Sequence, residues 1–152
     1  MHRLHLTLVA VVVAASLAAG AIGAMAATHA AGGATTVATA GSHLGRILVD
    51  GQGRTLYLFE KDAKNRSSCT GACAAYWPPL LTHGKPAAHG SVKQSLLGVT
   101  HRGDGTSQVT YAGHPLYRFV QDTKPGQANG QGLDVYGAEW YVLSPAGTKV
   151  ER

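Results

Sequence analysis

Recognisable catalytic signatures are missing from this chain. It lacks a Gly-x-Ser-x-Gly elbow, a Ser-x-x-Lys pair, a His-Glu-x-x-His helix and a phosphate loop. Carboxylates are scarce, three glutamates and five aspartates, so acid–base catalysis has few candidates. The expectation is a protein that is not an enzyme. His83, His89, His101 and His114 fall in loops and turns, with no His-x-His or His-x-x-x-His spacing, so neither a preformed metal site nor a cofactor is expected. Dense basic runs are missing too. Lys61, Lys64, Arg66, Lys85, Lys93, Arg102, Arg118 and Lys124 are scattered and spell no nucleic-acid motif, which argues against nucleic acid as a partner.

Only the start of the chain carries a long apolar run. Residues 4–27 are nearly continuous Ala, Val and Leu behind His2 and Arg3, and Ala24-Met25-Ala26 supplies a small-x-small cleavage pattern. Residues 1–26 therefore read as a signal peptide. The stretch is also long enough to cross a bilayer of about 30 Å. An uncleaved anchor is thus the alternative, and membrane association is expected only in that case. Either way, the rest of the chain is expected outside the cytoplasm, secreted or in the cell envelope. Arg3 is the leader's one charged residue, so 13 basic residues fall to 12 against 8 acidic, a net of +4. That charge attracts anionic wall polymers or lipid headgroups weakly and in a salt-dependent way. Residues 27–42 offer mostly Ala, Gly and Thr, with nothing large to bury except Val37, and are expected to be a flexible linker. Residues 43–152 are left as a single domain.

Cysteine is nearly absent. Cys69 and Cys73 are the only two, and outside the cytoplasm an isolated pair defaults to a disulfide. On a helical turn, positions i and i+4 place Cα atoms about 6 Å apart, within bridging range. The Cys-x-x-x-Cys spacing differs from that of thioredoxin-like dithiols, and Ala74 stands where a haem-attachment motif does not fit. A redox- or metal-linked role for the cysteines or histidines is the alternative reading.

The informative feature is a duplication. Val49, Gly53, Leu56, Tyr57, Phe59 and Asp62 recur sixty residues later as Val109, Gly113, Leu116, Tyr117, Phe119 and Asp122. Trp77 with Leu80 corresponds to Trp140 with Leu143, which bounds two repeats at about 43–82 and 97–150. Residues 46–50 and 55–59 read as strands about Gly51-Gln52-Gly53, and 97–101 and 108–111 as strands about Gly103-Asp104-Gly105. Residues 140–143 and 148–150 suggest a last hairpin. The Ala-rich residues 69–77 suggest one or two helical turns stopped by Pro78-Pro79. Residues 83–95 and 123–139 read as long polar loops.

The fold class that results is mainly β, two duplicated antiparallel hairpin units packed as a small sandwich or barrel, with a short helix at the cysteine pair. Tyr57 and Phe59 share one strand face, as do Tyr117 and Phe119, whereas the opposite face changes from Leu58 to Arg118. The aromatic face is therefore expected to be the buried one. Asp62 and Asp122 each come just after a strand, where a carboxylate caps backbone N–H groups; a paired acid–base or cation site is the sharper alternative.

Gly53 through Phe59 to Asp62, then Cys69-Thr70-Gly71-Ala72-Cys73 and Trp77-Pro78-Pro79-Leu80, closely resemble the bacterial secreted repeat of unknown function. Its members are described as predicted lipoproteins with a Tyr-x-aromatic-x-x-Asp motif. Gly113 through Phe119 to Asp122, and Trp140 through Pro145, resemble it again. The resemblance covers about residues 43–148 and implies a tandem-repeat envelope protein with no established activity. The leader here has no cysteine, so the lipid attachment of many relatives is not expected. The chain is accordingly read as a non-catalytic binding or structural module, expected to be a monomer, whose partner is an unknown envelope ligand or wall polymer. Tyr57, Phe59, Asp62, Trp77, Tyr117, Phe119, Asp122 and Trp140 are expected to be architectural.

Overall fold

The computed structural model describes residues 33–151. The leader and residues 27–32 of the expected linker lie outside them. In chain order the elements are β1 (Thr36–Ser42), β2 (Gly45–Asp50), β3 (Tyr57–Phe59), α1 (Ala72–Tyr76), β4 (Ala87–Ala88), a 3₁₀ turn (Gln94–Leu96), β5 (Leu97–His101), β6 (Ser107–Tyr111), β7 (His114–Pro115), β8 (Leu133–Val135) and β9 (Ala138–Val142). They form three small sheets, ordered β2-β1-β4, β3-β9-β8 and β5-β6-β7, and no barrel closes among the described residues.

The fold is mainly β, as the duplicated pattern requires, and the hairpin β5–β6 runs in register from Leu97↔Tyr111 to His101↔Ser107. The first-repeat hairpin is only partly as expected. Val49 bridges Thr55 and the Leu56 N–H reaches the Leu48 carbonyl at 3.0 Å, with Gly53 at φ +80° in the turn. The strand then leaves its partner. Tyr57–Phe59 pairs instead with Val142, Tyr141 and Trp140 of the second repeat, so the copies are interlocked through shared sheets.

Three expectations need correcting. Thr36–Ser42, assigned to the linker, is a seven-residue strand paired with β2 from Val37↔Asp50 to Ser42↔Gly45. Backbone pairing does not need large side chains; Val37 is buried, while Ala38 and Ala40 pack against the core. Residues 123–139 are not all loop, because β8 and the start of β9 form a hairpin about Tyr136 (φ 63°) and Gly137 (φ 94°), the positive-φ pair of a two-residue turn. Residues 83–95 likewise hold β4, which pairs parallel with β1.

The third correction concerns burial. Both faces of the 55–59 strand are covered, with Leu56 and Leu58 as deeply buried as Tyr57 and Phe59. The two faces belong to different clusters. One gathers Tyr57, Phe59, Trp77, Tyr117, Phe119, Trp140 and both cysteines; the other gathers Leu48, Leu56, Leu58, Leu80, Val109, Tyr111, Leu116 and Leu143. The strand pair is a wall between two cores, so Leu56, Leu58 and Leu116 on the changing face are buried as well, while Val120 at its end stays exposed. Arg118 is accommodated because its guanidinium meets the buried Asp50 carboxylate at 2.6 Å.

Candidate functional site

The repeat motifs meet at the centre of the aromatic cluster. The Tyr57 N–H donates to the Tyr117 carbonyl at 2.9 Å and the Tyr117 N–H to the Tyr57 carbonyl at 3.0 Å. From that reciprocal pair the contacts are repeated with the copies exchanged. Trp77 and Trp140 stack face to face at 3.9 Å and 6°. Phe119 stacks on Trp77 at 4.2 Å and Phe59 on Trp140 at 4.0 Å. Four rings therefore lie in one pile, Phe119–Trp77–Trp140–Phe59, with each repeat's Phe on the other repeat's Trp. Tyr57 and Tyr117 stand edge-on to Trp77 and Trp140 at 5.2 and 5.1 Å, an arrangement that aromatic quadrupoles favour.

The two aspartates cross between copies as well. Tyr57 Oη donates to Asp122 Oδ2 at 2.5 Å, and Tyr117 Oη donates to Asp62 Oδ2 at 2.7 Å. Each carboxylate also fastens a loop. Asp62 Oδ1 accepts from the Ser68 N–H and hydroxyl, and Asp122 Oδ1 from the Asn129 N–H and Nδ2. The backbone-capping expectation thus captures half of their role. Burial pushes both phenols up, with the adjoining carboxylates adding to the effect, and burial pushes Asp62 up despite its donors. Gly130 closes over this centre. Its N–H donates to Tyr57 Oη at 3.2 Å, and a Cβ there would lie 2.5 Å from the Trp77 ring.

Cys69 and Cys73 form a disulfide, their Cα atoms 5.3 Å apart. It braces α1, which ends at Tyr76 and is capped by Trp77 before Pro78. Arg102 is buried beneath it and donates to the Cys69 carbonyl, the Ser67 hydroxyl and Gln108 Oε1, each at 2.7 Å. The histidines scatter. His101 Nδ1 contacts the Ser107 hydroxyl at 3.1 Å, and half-buried His114 sits in a hollow with Glu60, Asp62 and Lys149. Burial lowers the His114 pKa while Asp62 and Glu60 oppose the shift. Among the described residues no group of three or more His, Cys, Asp and Glu side chains could hold a metal ion. No helix among them is long and apolar enough to cross a membrane.

The motif rings are core, but one end of the pile lies just beneath the surface. Trp77 and Phe119 form the floor of a groove of about 420 Å³ completed by Tyr76, Gln121, Leu133, Val135 and Tyr136. Tyr76 is 52% exposed and Tyr136 39%, and their rings pack side by side on the groove wall, tilted 44° with centroids 6.4 Å apart. The walls are tied to the centre: the Val120 N–H donates to the Tyr76 carbonyl at 3.1 Å, and Trp140 Nε1 to the Val135 carbonyl at 3.2 Å. No charged side chain lines it. Neither tyrosine belongs to the repeat motif, which is why the duplication did not point to them. The available signal was their placement, one beside the motif Trp77 and one in a Tyr-Gly turn inside a stretch read as loop.

No curated protein and no solved structure matches the chain. A family model described as a secreted repeat of unknown function matches residues 38–81 and 98–144, more than half of the sequence. The first match reaches back into β1 and the second ends beyond β9, so each spans one of the interlocked copies. The chain therefore belongs to the secreted-repeat family of unknown function and carries two tandem copies of its unit.

Proposed function

We propose that this protein is a non-catalytic binding module of the cell envelope whose ligand is a neutral glycan strand of the wall, held in the Tyr76–Tyr136 groove. The observation that carries the reading is a pair of adjacent, exposed tyrosines beside an apolar, uncharged floor. Large exposed aromatics in one patch mark an interaction surface, and tyrosine offers an apolar face with a polar tip. A pyranose has matching chemistry, apolar C–H faces and a hydroxyl rim. The uncharged lining favours a neutral sugar over an anionic polymer. Rigid walls, braced by the Cys69–Cys73 disulfide and the ring pile, limit the ordering cost on binding.

Sedimentation with purified insoluble wall glycan tests this. Tyr76→Ala and Tyr136→Ala should each weaken retention by roughly tenfold, about the worth of one aromatic contact. Val99→Ser, at an exposed position that does not line the groove, should leave it unchanged. Wild-type protein that fails to sediment with the glycan, or tyrosine variants that bind as well as wild type, would overturn the assignment.

A further inference from the structure

We propose that the aromatic core also works as a one-electron relay, in which Trp77 accepts an oxidising equivalent at the groove and Tyr57 holds it as a neutral tyrosyl radical. The proposal goes beyond glycan binding and does not depend on it. A phenol is a useful one-electron donor near neutral pH only when a base takes its proton as the electron leaves. That base must stand within hydrogen-bond reach. Tyr57 Oη meets Asp122 Oδ2 at 2.5 Å, with both residues buried. Asn129 occupies Oδ1 with two donors, which aims Oδ2 at the phenol.

The rings complete the path. Trp77 lies directly beneath the groove with no exposed surface of its own, so an oxidant seated there exchanges an electron with it without contact, by outer-sphere transfer. The Trp77 ring stacks on Trp140 at 3.9 Å, and a stacked indole pair shares positive charge and is easier to oxidise than a lone indole. Tyr57 stands 5.2 Å from Trp77, and the mirror pair Tyr117–Asp62 stands beside Trp140. Tyr57 has no exposed surface, so a radical there is kept from water and from ring coupling. The raised phenol pKa keeps the proton in place until the electron goes.

Atoms and electrons balance across the transfer. An outer-sphere one-electron oxidant, of the class of high-valent metal complexes, takes one electron from Trp77 and is itself reduced by one. Tyr57 returns one electron to the indole radical cation while its Oη–H bond breaks and the proton forms a bond to Asp122 Oδ2. Trp77 is restored, Tyr57 is a neutral radical and Asp122 a neutral acid.

The probe is tris(bipyridine)ruthenium(III), generated by light in the presence of the intact protein and freeze-quenched for electron paramagnetic resonance. A neutral tyrosyl signal is expected, and electron–nuclear double resonance should show one strongly coupled, exchangeable hydrogen-bond proton. Asp122→Asn should slow growth of that signal by about a hundredfold, the contribution of one positioned base. Tyr57→Phe should remove the Asp122-dependent signal and leave only that of the mirror pair Tyr117–Asp62, and Tyr57→Phe combined with Tyr117→Phe should bring the tyrosyl yield to background. A wild-type radical without such a proton overturns the proposal, and that reading needs no variant to fold. Undiminished yield in the double variant overturns it as well, by placing the radical on an exposed tyrosine such as Tyr76 or Tyr136.

Discussion

Removing a single hydroxyl from each of the two motif tyrosines should have unequal consequences, although the sequence presents them as equivalents. In Tyr57→Phe, Asp122 loses a 2.5 Å donor at a site with almost no solvent, and the Gly130 N–H loses its acceptor. A hydrogen bond to a charged group contributes about 1.5–3 kcal/mol, and an orphaned buried donor costs about 1 kcal/mol more. The expected loss is therefore about 3 kcal/mol. In Tyr117→Phe, Asp62 keeps two donors from Ser68, as Asp122 keeps two from Asn129, but it is only half-buried and the Ser67 hydroxyl keeps Arg102. The loss there should be about 1 kcal/mol. Urea unfolding monitored by tryptophan fluorescence reads both, since Trp77 and Trp140 lie at the centre of the core. Equal losses in the two variants, or a Tyr57→Phe loss below about 1 kcal/mol, would refute the idea that burial and the orphaned Gly130 N–H decide what each crossed pair contributes.

Phe59→Ala and Phe119→Ala should each cost about 3–5 kcal/mol, and Leu58→Ala about 2–5 kcal/mol, because both strand faces are buried; thermal or urea denaturation showing Leu58→Ala near neutral would contradict the two-core arrangement. Replacing Cys69 and Cys73 together with Ser should lower stability by about 2 kcal/mol, the loop-closure value for so short a ring, and far-UV circular dichroism should show the fold retained. His114 resists protonation in the folded state, so the unfolded chain binds the extra proton first as pH falls below 6.5. Stability should decline from that pH downward until the lower folded pKa is passed, and His114→Asn should flatten this limb in urea midpoints measured across the range.

Much of the architecture was legible because it is written in side-chain identity. The duplication, the hairpin β5–β6, the helix ended by Pro78 and the disulfide each rest on local chemistry: turn glycines, a proline that cannot continue a helix, and two cysteines one turn apart. Burial of Tyr57, Phe59, Tyr117 and Phe119 was implied by alternation along a strand. What escaped was whatever depends on a distant partner. The strand Thr36–Ser42 has little to bury, and only the presence of β2 beside it makes it a strand, although the second repeat, with β5 ahead of β6, carried a hint of it. Alternation also could not reveal that Leu58 faces a second core, because period-two patterning tells the faces apart without saying what covers either. The exchange of Phe, Trp, Tyr and Asp partners between copies was likewise decided by tertiary packing. Pairing Tyr57 with Tyr117 places each repeat's aromatic face against the other's, and a hairpin that cannot bury its own rings finds its complement there.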